Sequence, residues 1–262
     1  MGTHERWTAL LDILGRDGRL DVAEAADELS VSAATIRRDL DHLARQQLLS
    51  RTRGGAVPAS VAYDLPLRYK SSRNTDEKVR IGAAVARMIP VGSVVALNGG
   101  TTTSEVARAL VTATPPAEGD PDRPLYTVVT NALNIANDLA VRRTVKLVVT
   151  GGVARPISYE LIGPLAEPSL ARLHLDYVIL GVDGIDLQTG ATAHHEGEAA
   201  VTSVMVRQAS TVIVAADSSK LGLRSFARIC PTSAIDVLVT DRAADSAAVA
   251  AFEAAEVRVI QV

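Results

Sequence analysis

The hydrophobic and polar positions of this chain follow one pattern up to residue 57 and a different one beyond residue 74. In the first part, apolar residues recur at helical spacing, and Trp7, Leu10, Leu11 and Leu14 share one face. Gly18 follows this face, and a glycine is a common residue at the end of a helix. The pattern therefore predicts an amphipathic helix that ends at Gly18.

Two more short helices follow the first. Asp21 with Glu24 is typical of a capping box and predicts the start of a second helix. Its inward positions are Val22, Ala25, Ala26 and Leu29. A turn at Ser30 and Val31 precedes Ser32, whose hydroxyl can cap a third helix. The inward positions of that helix are Ile36, Leu40 and Leu43.

Three short helices with a tight turn between the second and the third predict a helix-turn-helix. In that motif, the N-terminal residues of the last helix contact base edges, and flanking residues contact phosphates. Small side chains at Ala33 and Ala34 let the backbone approach a groove. Arg37 and Arg38 can bond to guanine in two places or pair with phosphate.

The segment LLSRTRGGAV predicts a β-wing after the third helix, with a strand, a turn at Gly54 and Gly55, and a second strand. Arg51 and Arg53 of this wing are expected along the DNA backbone or in the minor groove. The predicted DNA-contacting residues are Ser32, Ala33, Thr35, Arg37, Arg38, Arg51 and Arg53. The alternative is a solvated helical bundle in which Arg37 pairs with Asp41, four residues along the helix.

The local charge supports DNA binding, although the whole chain of 262 residues has a formal charge of −3. Residues 1–31 hold three arginines and seven acids, whereas residues 32–57 hold five arginines and two acids. Nucleic-acid binding requires such a local concentration of positive charge more than a basic protein.

Composition limits the class of protein. No apolar run reaches the length of a membrane span, and the charged N-terminus is unlike a signal peptide. A single cysteine, Cys230, excludes an internal disulfide and fits a reducing cytoplasm. We therefore expect a cytoplasmic protein.

From Thr75 onward, continuous apolar strands such as SVVALN, YTVVTN and DYVILGVDG alternate with helical stretches. This alternation predicts an α/β domain with a largely parallel sheet. Residues 58–74 are polar, aperiodic and punctuated by proline, which indicates a linker. The predicted domains are a winged helix-turn-helix over 1–57, a linker over 58–74 and an α/β effector-sensing domain over 75–262.

Polar residues cluster just after the predicted strands, which is where open α/β sheets hold ligands. NGGTTT, from Asn98 to Thr103, follows a strand and opens a helix. Its glycines, its hydroxyls and the helix N-terminus can hold a phosphate, although a turn of glycine and threonine is also commonplace.

Other strand ends carry Thr130 and Asn131, Gly151 and Gly152, Asp183 and Asp186, Asp217, and Thr240 and Asp241. Each residue alone is usually a turn former or a cap. Together they favour a hydroxylated, phosphorylated small molecule, because carboxylates accept bonds from hydroxyls and Lys78 or Lys220 can meet a phosphate.

The motif SVSAATIRRDLDHLARQQLLSRTRGGAV closely resembles the recognition helix and wing of the DeoR/GlpR family of bacterial transcriptional regulators. Gln47 stands where that family usually has glycine, and Arg53 where histidine is common. The resemblance continues through the second domain, where the matching positions are Lys78, Gly100 to Thr102, Thr130 and Asn131, Gly151 and Gly152, Gly181 to Asp186, Glu198, Asp217 to Lys220, and Thr240 and Asp241. Asn98 stands where the family usually has aspartate, which keeps the hydrogen bonding of the side chain but removes its charge.

The resemblance implies a Rossmann-like sensor domain, similar in fold to ribose-5-phosphate isomerase, that binds sugar phosphates. The effector-binding residues that the sequence and the resemblance together predict are Lys78, Asn98, Gly99, Gly100, Thr101, Thr102, Thr103, Asn131, Gly152, Asp183, Glu198 and Lys220. Within this set the resemblance assigns Gly99 to Thr103 to the phosphate. It assigns Asp183, Glu198 and Asn131 to sugar hydroxyls.

The leading hypothesis is a repressor that binds operator DNA as a dimer or tetramer and responds to a phosphorylated sugar from carbohydrate metabolism. A sugar-phosphate isomerase that uses Asp183, Glu198 and Lys220 is the alternative, and a scaffold that senses nothing is the third possibility. We expect no cofactor. HHEGE, from His194 to Glu198, lacks partner ligands at zinc spacing, so we also expect no metal.

Overall fold

The computed structural model describes residues 2–46, 48–57, 67, 74–112 and 124–262. They fall into two compact units, 1–73 and 74–262. The predicted linker lies outside the described residues except for Leu67 and Asn74. The proline-rich stretch 113–123 also lies outside them.

Over residues 2–46 and 48–57, the first unit contains three helices and three short strands. The helices are α1 (Thr3–Asp17), α2 (Val22–Glu28) and α3 (Ala33–Arg45). The strands are β1 (Leu20–Asp21), β2 (Ser50–Thr52) and β3 (Gly55–Val57). The predicted inward residues form one apolar core, apart from the half-buried Trp7 and Leu29 at its margin. This confirms the three helices and the wing.

The predicted caps of the first unit are present. Gly18 follows α1, and the Asp21 carboxylate accepts bonds from the backbone N–H groups of Ala23 and Glu24. The Ser32 hydroxyl accepts a bond from the Thr35 N–H at 3.1 Å. These contacts satisfy backbone donors that a helix start otherwise leaves without partners.

The turn of the wing differs from the prediction by one residue. Gly55 belongs to β3 instead of the turn, because β3 pairs with both β2 and β1. A Cβ atom on Gly55 would lie 1.8 Å from the carbonyl oxygen of Leu20, so only glycine allows this close approach. Strand β1 was not predicted, since two residues carry no periodic signal.

The second unit is built on a seven-stranded sheet whose strands are all parallel. Its helices are α4 (Thr75–Met88), α5 (Thr101–Thr112), α6 (Leu133–Leu139), α7 (Glu167–Leu170), α8 (Glu196–Gln208) and α9 (Ser246–Ala254). Its strands, including those outside the large sheet, are β4 (Val94–Leu97), β5 (Tyr126–Thr130), β6 (Val145–Val149), β7 (Val153–Arg155), β8 (Glu160–Ile162), β9 (Leu175–Leu180), β10 (Gly184–Asp186), β11 (Gly190–Ala193), β12 (Ala209–Ala215), β13 (Ala227–Cys230), β14 (Val237–Thr240) and β15 (Arg258–Gln261). The predicted α/β fold is confirmed.

The strand order places a topological switch point beside β4. The order is β15-β14-β12-β9-β4-β5-β6, so the chain runs outward from β4 through β5 to β6 and then crosses to β9 on the other side of β4. Open α/β sheets bind ligands in the crevice at such a point, at the carboxyl ends of the strands. The predicted site residues that follow strands therefore lie at the edge where open α/β sheets usually bind ligands.

The helix predicted through Val79 and Ala83 is α4, but Val79 is exposed and Ala83 is only half-buried. The buried face of α4 consists of Lys78, Ile81, Gly82, Ala84 and Val85. Gly82 lies so close to Glu105 of α5 that the two helices pack backbone to backbone. The buried face of α4 thus lies one position away from the predicted face.

Two small antiparallel sheets were not predicted. Strands β7 and β8 form a two-stranded hairpin, and β10, β11 and β13 form a three-stranded sheet. The hairpin follows β6 and returns at Glu160, which bridges to Ala132 beside the end of β5. It therefore lies against the carboxyl edge of the large sheet. Among the helices of the described residues, none has the length and apolar character needed to cross a membrane.

Candidate DNA interface and effector site

Helix α3 presents the two predicted guanidinium groups outward. Arg37 and Arg38 are exposed, and within the described residues neither forms an ion pair. Asp41, the alternative partner of Arg37, pairs with Arg51 of the wing at 3.0 Å. The guanidinium groups of Arg37 and Arg38 are therefore available to a ligand, whereas Arg51 is held by Asp41 and by the Gly55 carbonyl at 2.9 Å.

A buried aspartate fixes α3 against α1. The Arg6 guanidinium and the Trp7 indole N–H both donate to the Asp39 carboxylate, the latter at 2.7 Å. The hydrogen bond to Asp39 raises the pKa of Arg6. The Trp7 ring also stacks on His42, with ring centroids 4.1 Å apart. Sequence reasoning missed this cluster, since Trp7 was interpreted only as part of the apolar face.

The other predicted DNA contacts lie at the start of α3 and on the wing. Ser32 caps the helix, and its hydroxyl also bonds to that of Thr35 at 2.8 Å. Ala33 and Thr35 are half-buried, and Arg53 is exposed in the turn of the wing. This arrangement places small side chains and helix N–H groups beside exposed cations, which suits the phosphate backbone of DNA.

At the carboxyl edge of the sheet, Asn98 joins the two strands that flank the switch point. Its side-chain N–H donates to the Gly181 carbonyl at 2.9 Å, and its oxygen accepts from the Gly181 N–H at 2.8 Å. An ionised aspartate lacks the donor that the first bond needs. Asparagine at this position therefore supports the β4–β9 junction.

The loop between β4 and α5 is stabilised by hydrogen bonds between its own residues. Gly99 is buried, and the hydroxyls of Thr103 and Ser104 both donate to the Gly100 carbonyl. The one hydrogen-bond donor of Thr103 is thus used within the loop. Thr101 and Thr102 are the first residues of α5, where the helix N–H groups and the dipole favour an anion.

Glu160 of the hairpin lies against this loop and is the main site residue that sequence reasoning missed. Its carboxyl group is buried and accepts a bond from the Asn131 amide at 2.9 Å and one from the Gly99 N–H. Burial, together with the Glu198 and Asp183 carboxylates, raises the pKa of Glu160 to about 8. An acid within SYELIG was the only signal, and such a residue is usually a solvated one.

Two more carboxylates complete what we call the carboxyl cluster, which consists of Glu160, Glu198 and Asp183. The Arg155 guanidinium of β7 donates to Glu198 at 2.9 Å, and both side chains are largely buried. Asp183 accepts from the His194 N–H at 3.0 Å. The structure therefore brings together Gly99, Asn131, Asp183 and Glu198, four of the predicted residues, and places Glu160 and Arg155 beside them.

The predicted lysines belong to a second group of residues farther along the same edge. Asp217 follows β12 and accepts a bond from Asn74, the residue that begins α4, at 2.9 Å. Lys78 is buried on α4, and Lys220 closes the turn after Asp217. Strands β12 and β5 are three strand spacings apart, roughly 14 Å, so the lysines and Asn131 lie on opposite sides of the switch point.

The remaining predicted features have local roles. A Cβ atom on Gly152 would lie 2.9 Å from Leu161 and Ile162, so this glycine lets the hairpin close. His195 caps α8 by accepting from the Gly197 N–H, and Cys230 is buried, which raises the pKa of its thiol to about 11. In the part of the chain that the structure describes, no three His, Cys, Asp or Glu side chains gather as metal ligands.

Comparison with known proteins agrees with this arrangement. The family model "DeoR-like helix-turn-helix domain" matches residues 6–61, and "DeoR C terminal sensor domain" matches residues 73–242. The transcriptional regulator GlpR of Haloferax volcanii is 34% identical over 98% of this chain and 96% of that protein. The chain belongs to the DeoR family of transcriptional regulators.

Other DeoR-family relatives are named as repressors. The glycerol-3-phosphate regulon repressor of Escherichia coli K12 is 30% identical over 90% of both chains. The repressor GlcR of Bacillus subtilis is 34% identical over 92% of this chain and 90% of that protein. This DeoR-family chain is therefore a DNA-binding transcriptional repressor rather than an enzyme, as predicted.

Solved structures match this chain only at low similarity. Ribose 5-phosphate isomerase A of Neisseria gonorrhoeae has a TM-score of 0.39 and 17% identity over 57% of this chain and 55% of that one. The sorbitol operon regulator SorC of Klebsiella pneumoniae has a TM-score of 0.39 and 14% identity over 94% of this chain and 98% of that one. Because both scores are below 0.5, we draw no functional conclusion from them.

Proposed function

We propose that a phosphorylated sugar binds at the carboxyl edge of the sheet and lowers the affinity of this DeoR-family repressor for its operator. The regulated genes would then belong to carbohydrate metabolism. The observation that carries the proposal is the meeting of the Gly99–Thr103 loop with Asn131, Asp183 and Glu198 at the switch point. The name of the Escherichia coli relative, a glycerol-3-phosphate regulon repressor, supports an effector that is a small phosphorylated polyhydroxy compound.

The groups of the site divide between the two ends of such an effector. Backbone N–H groups of Gly100, Thr101 and Thr102, the hydroxyls of Thr101 and Thr102, and the N-terminus of α5 bind the phosphate. The Asp183 and Glu198 carboxylates accept bonds from sugar hydroxyls. Asn131 also faces the sugar, because its side-chain oxygen is buried and has no hydrogen-bond partner among the described residues.

The remaining predicted residues support these contacts. Asn98 and Thr103 hold the loop in place through their bonds to Gly181 and Gly100. Gly152 lets the hairpin that carries Glu160 lie over the site. Lys78 and Lys220 add positive charge on the far side of the switch point.

We infer that the repressor acts in the cytoplasm as a dimer or tetramer. One small winged helix contacts few base pairs, so operators for such modules usually consist of repeated half-sites. The α3 contacts are Ser32, Ala33, Thr35, Arg37 and Arg38, and the wing contributes Arg51 and Arg53. Of the two wing arginines, Arg53 contacts phosphate more readily, because Arg51 is bonded to Asp41 and Gly55.

A thermal-shift screen of pentose and hexose phosphates tests the effector class. We expect at least one phosphorylated sugar to raise the melting temperature of the full chain, and its unphosphorylated counterpart to have no effect. Replacing Thr101 and Thr102 by valine removes two hydroxyls from the loop and should abolish the shift. Thr112→Val, at the exposed end of the same helix, is the matched control and should keep it.

The same screen can contradict the proposal. If no phosphorylated sugar shifts the wild-type chain, the sensor does not bind this class of compound. If the threonine variants respond like the wild type, the phosphate lies elsewhere. Turnover of a pentose or hexose phosphate by the pure protein would instead support the isomerase alternative.

A further inference from the structure

Glu160 has no role in the proposed function, yet its carboxyl group touches the loop that is assigned to the phosphate. A Cβ atom placed on Gly99 would lie 2.5 Å from Oε1 of Glu160, so the carboxyl group fits directly against the glycine backbone. The Gly99 N–H donates to it. The Glu160 carboxyl group therefore accepts the hydrogen bond that the first N–H of this loop could otherwise donate to a phosphate.

The charges around Glu160 do not compensate an ionised carboxylate. Glu198 faces it from α8, and Asp183 faces it from the segment between β9 and β10. Arg155, on the neighbouring strand β7, bonds to Glu198. Nε2 of His194 lies 3.8 Å from Oδ1 of Asp183. From the end of β5, Asn131 contributes a neutral amide. Two lone N–H donors are a weak substitute for a cation at a fully buried acid.

A bound phosphate would add a further negative charge at this position. With Glu160 ionised, the phosphate and three carboxylates would share one buried end of the sheet, where Arg155 pairs with Glu198. With Glu160 neutral, its O–H becomes a donor that can bond to a phosphate or sugar oxygen. The neutral form removes a repulsion and adds a hydrogen bond.

Building on the proposed function, we propose that a phosphorylated effector binds only the form of the sensor in which Glu160 carries a proton. Glu160 is then a specificity residue that favours anionic effectors when neutral and opposes them when ionised. It also makes the response of the repressor depend on pH. The raised pKa of Glu160, about 8, places this change close to neutral pH.

The expected pH dependence of effector affinity follows from the protonation of Glu160. Below about pH 7.5 Glu160 is mostly neutral, so effector affinity should be constant. Above pH 8 the neutral fraction falls tenfold for each pH unit, and the affinity should fall by about the same factor. A phosphate ester is already a dianion in this range, since its second pKa is near 6. The thiol of Cys230 titrates higher, near 11.

Binding titrations of the full chain between pH 7 and pH 9.5 test the proposal. The probes are ribose 5-phosphate, glucose 6-phosphate and inorganic sulfate, whose charge is constant over this range. We expect the wild-type affinity to fall at least tenfold from pH 7.5 to pH 9.5. Glu160→Gln, which keeps the shape and stays neutral, should bind with an affinity that does not change with pH. Glu196→Gln, an exposed acid at the start of α8, should behave like the wild type.

A measurement without effector tests the proton on Glu160 separately. The folded pKa is raised above the unfolded value, so the stabilising effect of this group is complete below about pH 4.5 and is lost as the pH rises through 8. Glutamine does not titrate. The melting temperature of Glu160→Gln should therefore rise relative to that of the wild type between pH 5 and pH 9, while operator binding without effector stays the same.

The outcomes separate this inference from the proposed function. If no probe binds at any pH, the proposed function fails and the coupling fails with it. If a probe binds to the wild type with an affinity that does not change with pH, only the proposed role of the Glu160 proton is wrong. If the effector affinity of Glu160→Gln falls with pH as the wild-type affinity does, another group carries the proton and the inference is wrong.

Discussion

At the scale of single residues, DNA recognition depends on guanidinium groups whose surroundings differ. Arg37 and Arg38 are exposed near the start of α3, and Arg53 is exposed in the wing turn. Arg51 is instead bonded to Asp41 and to its own wing. Base contacts give specificity, whereas phosphate contacts give affinity that depends on salt.

Arg37→Ala should remove specific operator binding. Loss of a base contact costs about 1–3 kcal/mol, which corresponds to an affinity roughly 5 to 150 times lower, with weaker preference for the operator. Arg53→Ala should weaken binding to all sequences and reduce the slope of affinity against salt by about one. Fluorescence anisotropy with operator and scrambled duplexes measures both effects.

The matched control for these variants is Arg87→Ala, an exposed arginine in the last turn of α4 in the other unit. It should bind DNA like the wild type. Footprints of Arg37→Ala and Arg53→Ala that equal the wild-type footprint would show that α3 and the wing do not contact DNA.

Gly99 is the residue on which the geometry of the effector site depends most directly. Gly99→Ala places a methyl group inside the Glu160 side chain, with its nearest atom at 2.4 Å. Such overpacking typically costs about 1–3 kcal/mol and should push the hairpin away from the loop. We expect the melting temperature to fall and effector binding to be lost, as measured by thermal shift.

A double variant tests the cause of that loss. Glu160→Ala removes the three atoms that collide with the new methyl group, so Gly99→Ala should cost much less in its presence. Additive effects of the two substitutions on the melting temperature would mean that they do not interact, and would contradict the contact.

At the scale of elements, the orientation of α3 depends on its attachment to α1. Asp39 is buried and accepts bonds from Arg6 and Trp7, whereas Asp41, half a turn along the same helix, is exposed and pairs with Arg51. A buried charge that loses its partner is costly, but an exposed ion pair contributes little. The two aspartates therefore make a natural comparison.

Asp39→Ala should destabilise the DNA-binding unit by roughly 2–3 kcal/mol, since Arg6 is left largely buried without its carboxylate. Asp41→Ala should change the stability by less than about 1 kcal/mol. Trp7 is the single tryptophan of the chain, so its fluorescence during urea unfolding reports on this unit alone. Equal effects of the two substitutions would contradict the buried attachment.

Most elements could be predicted from the sequence because their signals are local. The long apolar strands and the caps at Asp21 and Ser32 depend on neighbours in the chain. The hairpin of β7 and β8 could not be predicted, because its strands have three residues each and lie outside the large sheet. Glu160 was missed with it, since its burial depends on Gly99 and Asn131, which are distant in sequence.

The same contrast holds for the predicted site residues. Glycines, threonines and acids after strands were predictable, because parallel strands bring their carboxyl ends to one edge. Their hydrogen-bond partners were not predictable. The side chains of Asn98 and Thr103 donate to the backbone carbonyls of Gly181 and Gly100. A sequence pattern predicts the position of a polar group but not its hydrogen-bond partner, when that partner lies on a strand that is distant in sequence.

At the scale of the whole molecule, a repressor must join two functions that lie in separate units. The effector can change DNA affinity only if it binds unequally to the DNA-competent and DNA-incompetent forms of the chain. By the same linkage, operator DNA must lower the affinity for the effector by an equal factor. This reciprocity makes the account testable with one pair of titrations.

The most direct test is the operator affinity of the full chain with and without the phosphorylated sugar found by thermal shift. The operator is selected from a random duplex library, and affinity is measured by fluorescence anisotropy at fixed salt and at pH 7.5. The account predicts that saturating effector lowers operator affinity at least fivefold, and that the Thr101→Val, Thr102→Val variant binds the operator normally without responding. Equal operator affinity with and without an effector that is shown to bind would contradict the central claim.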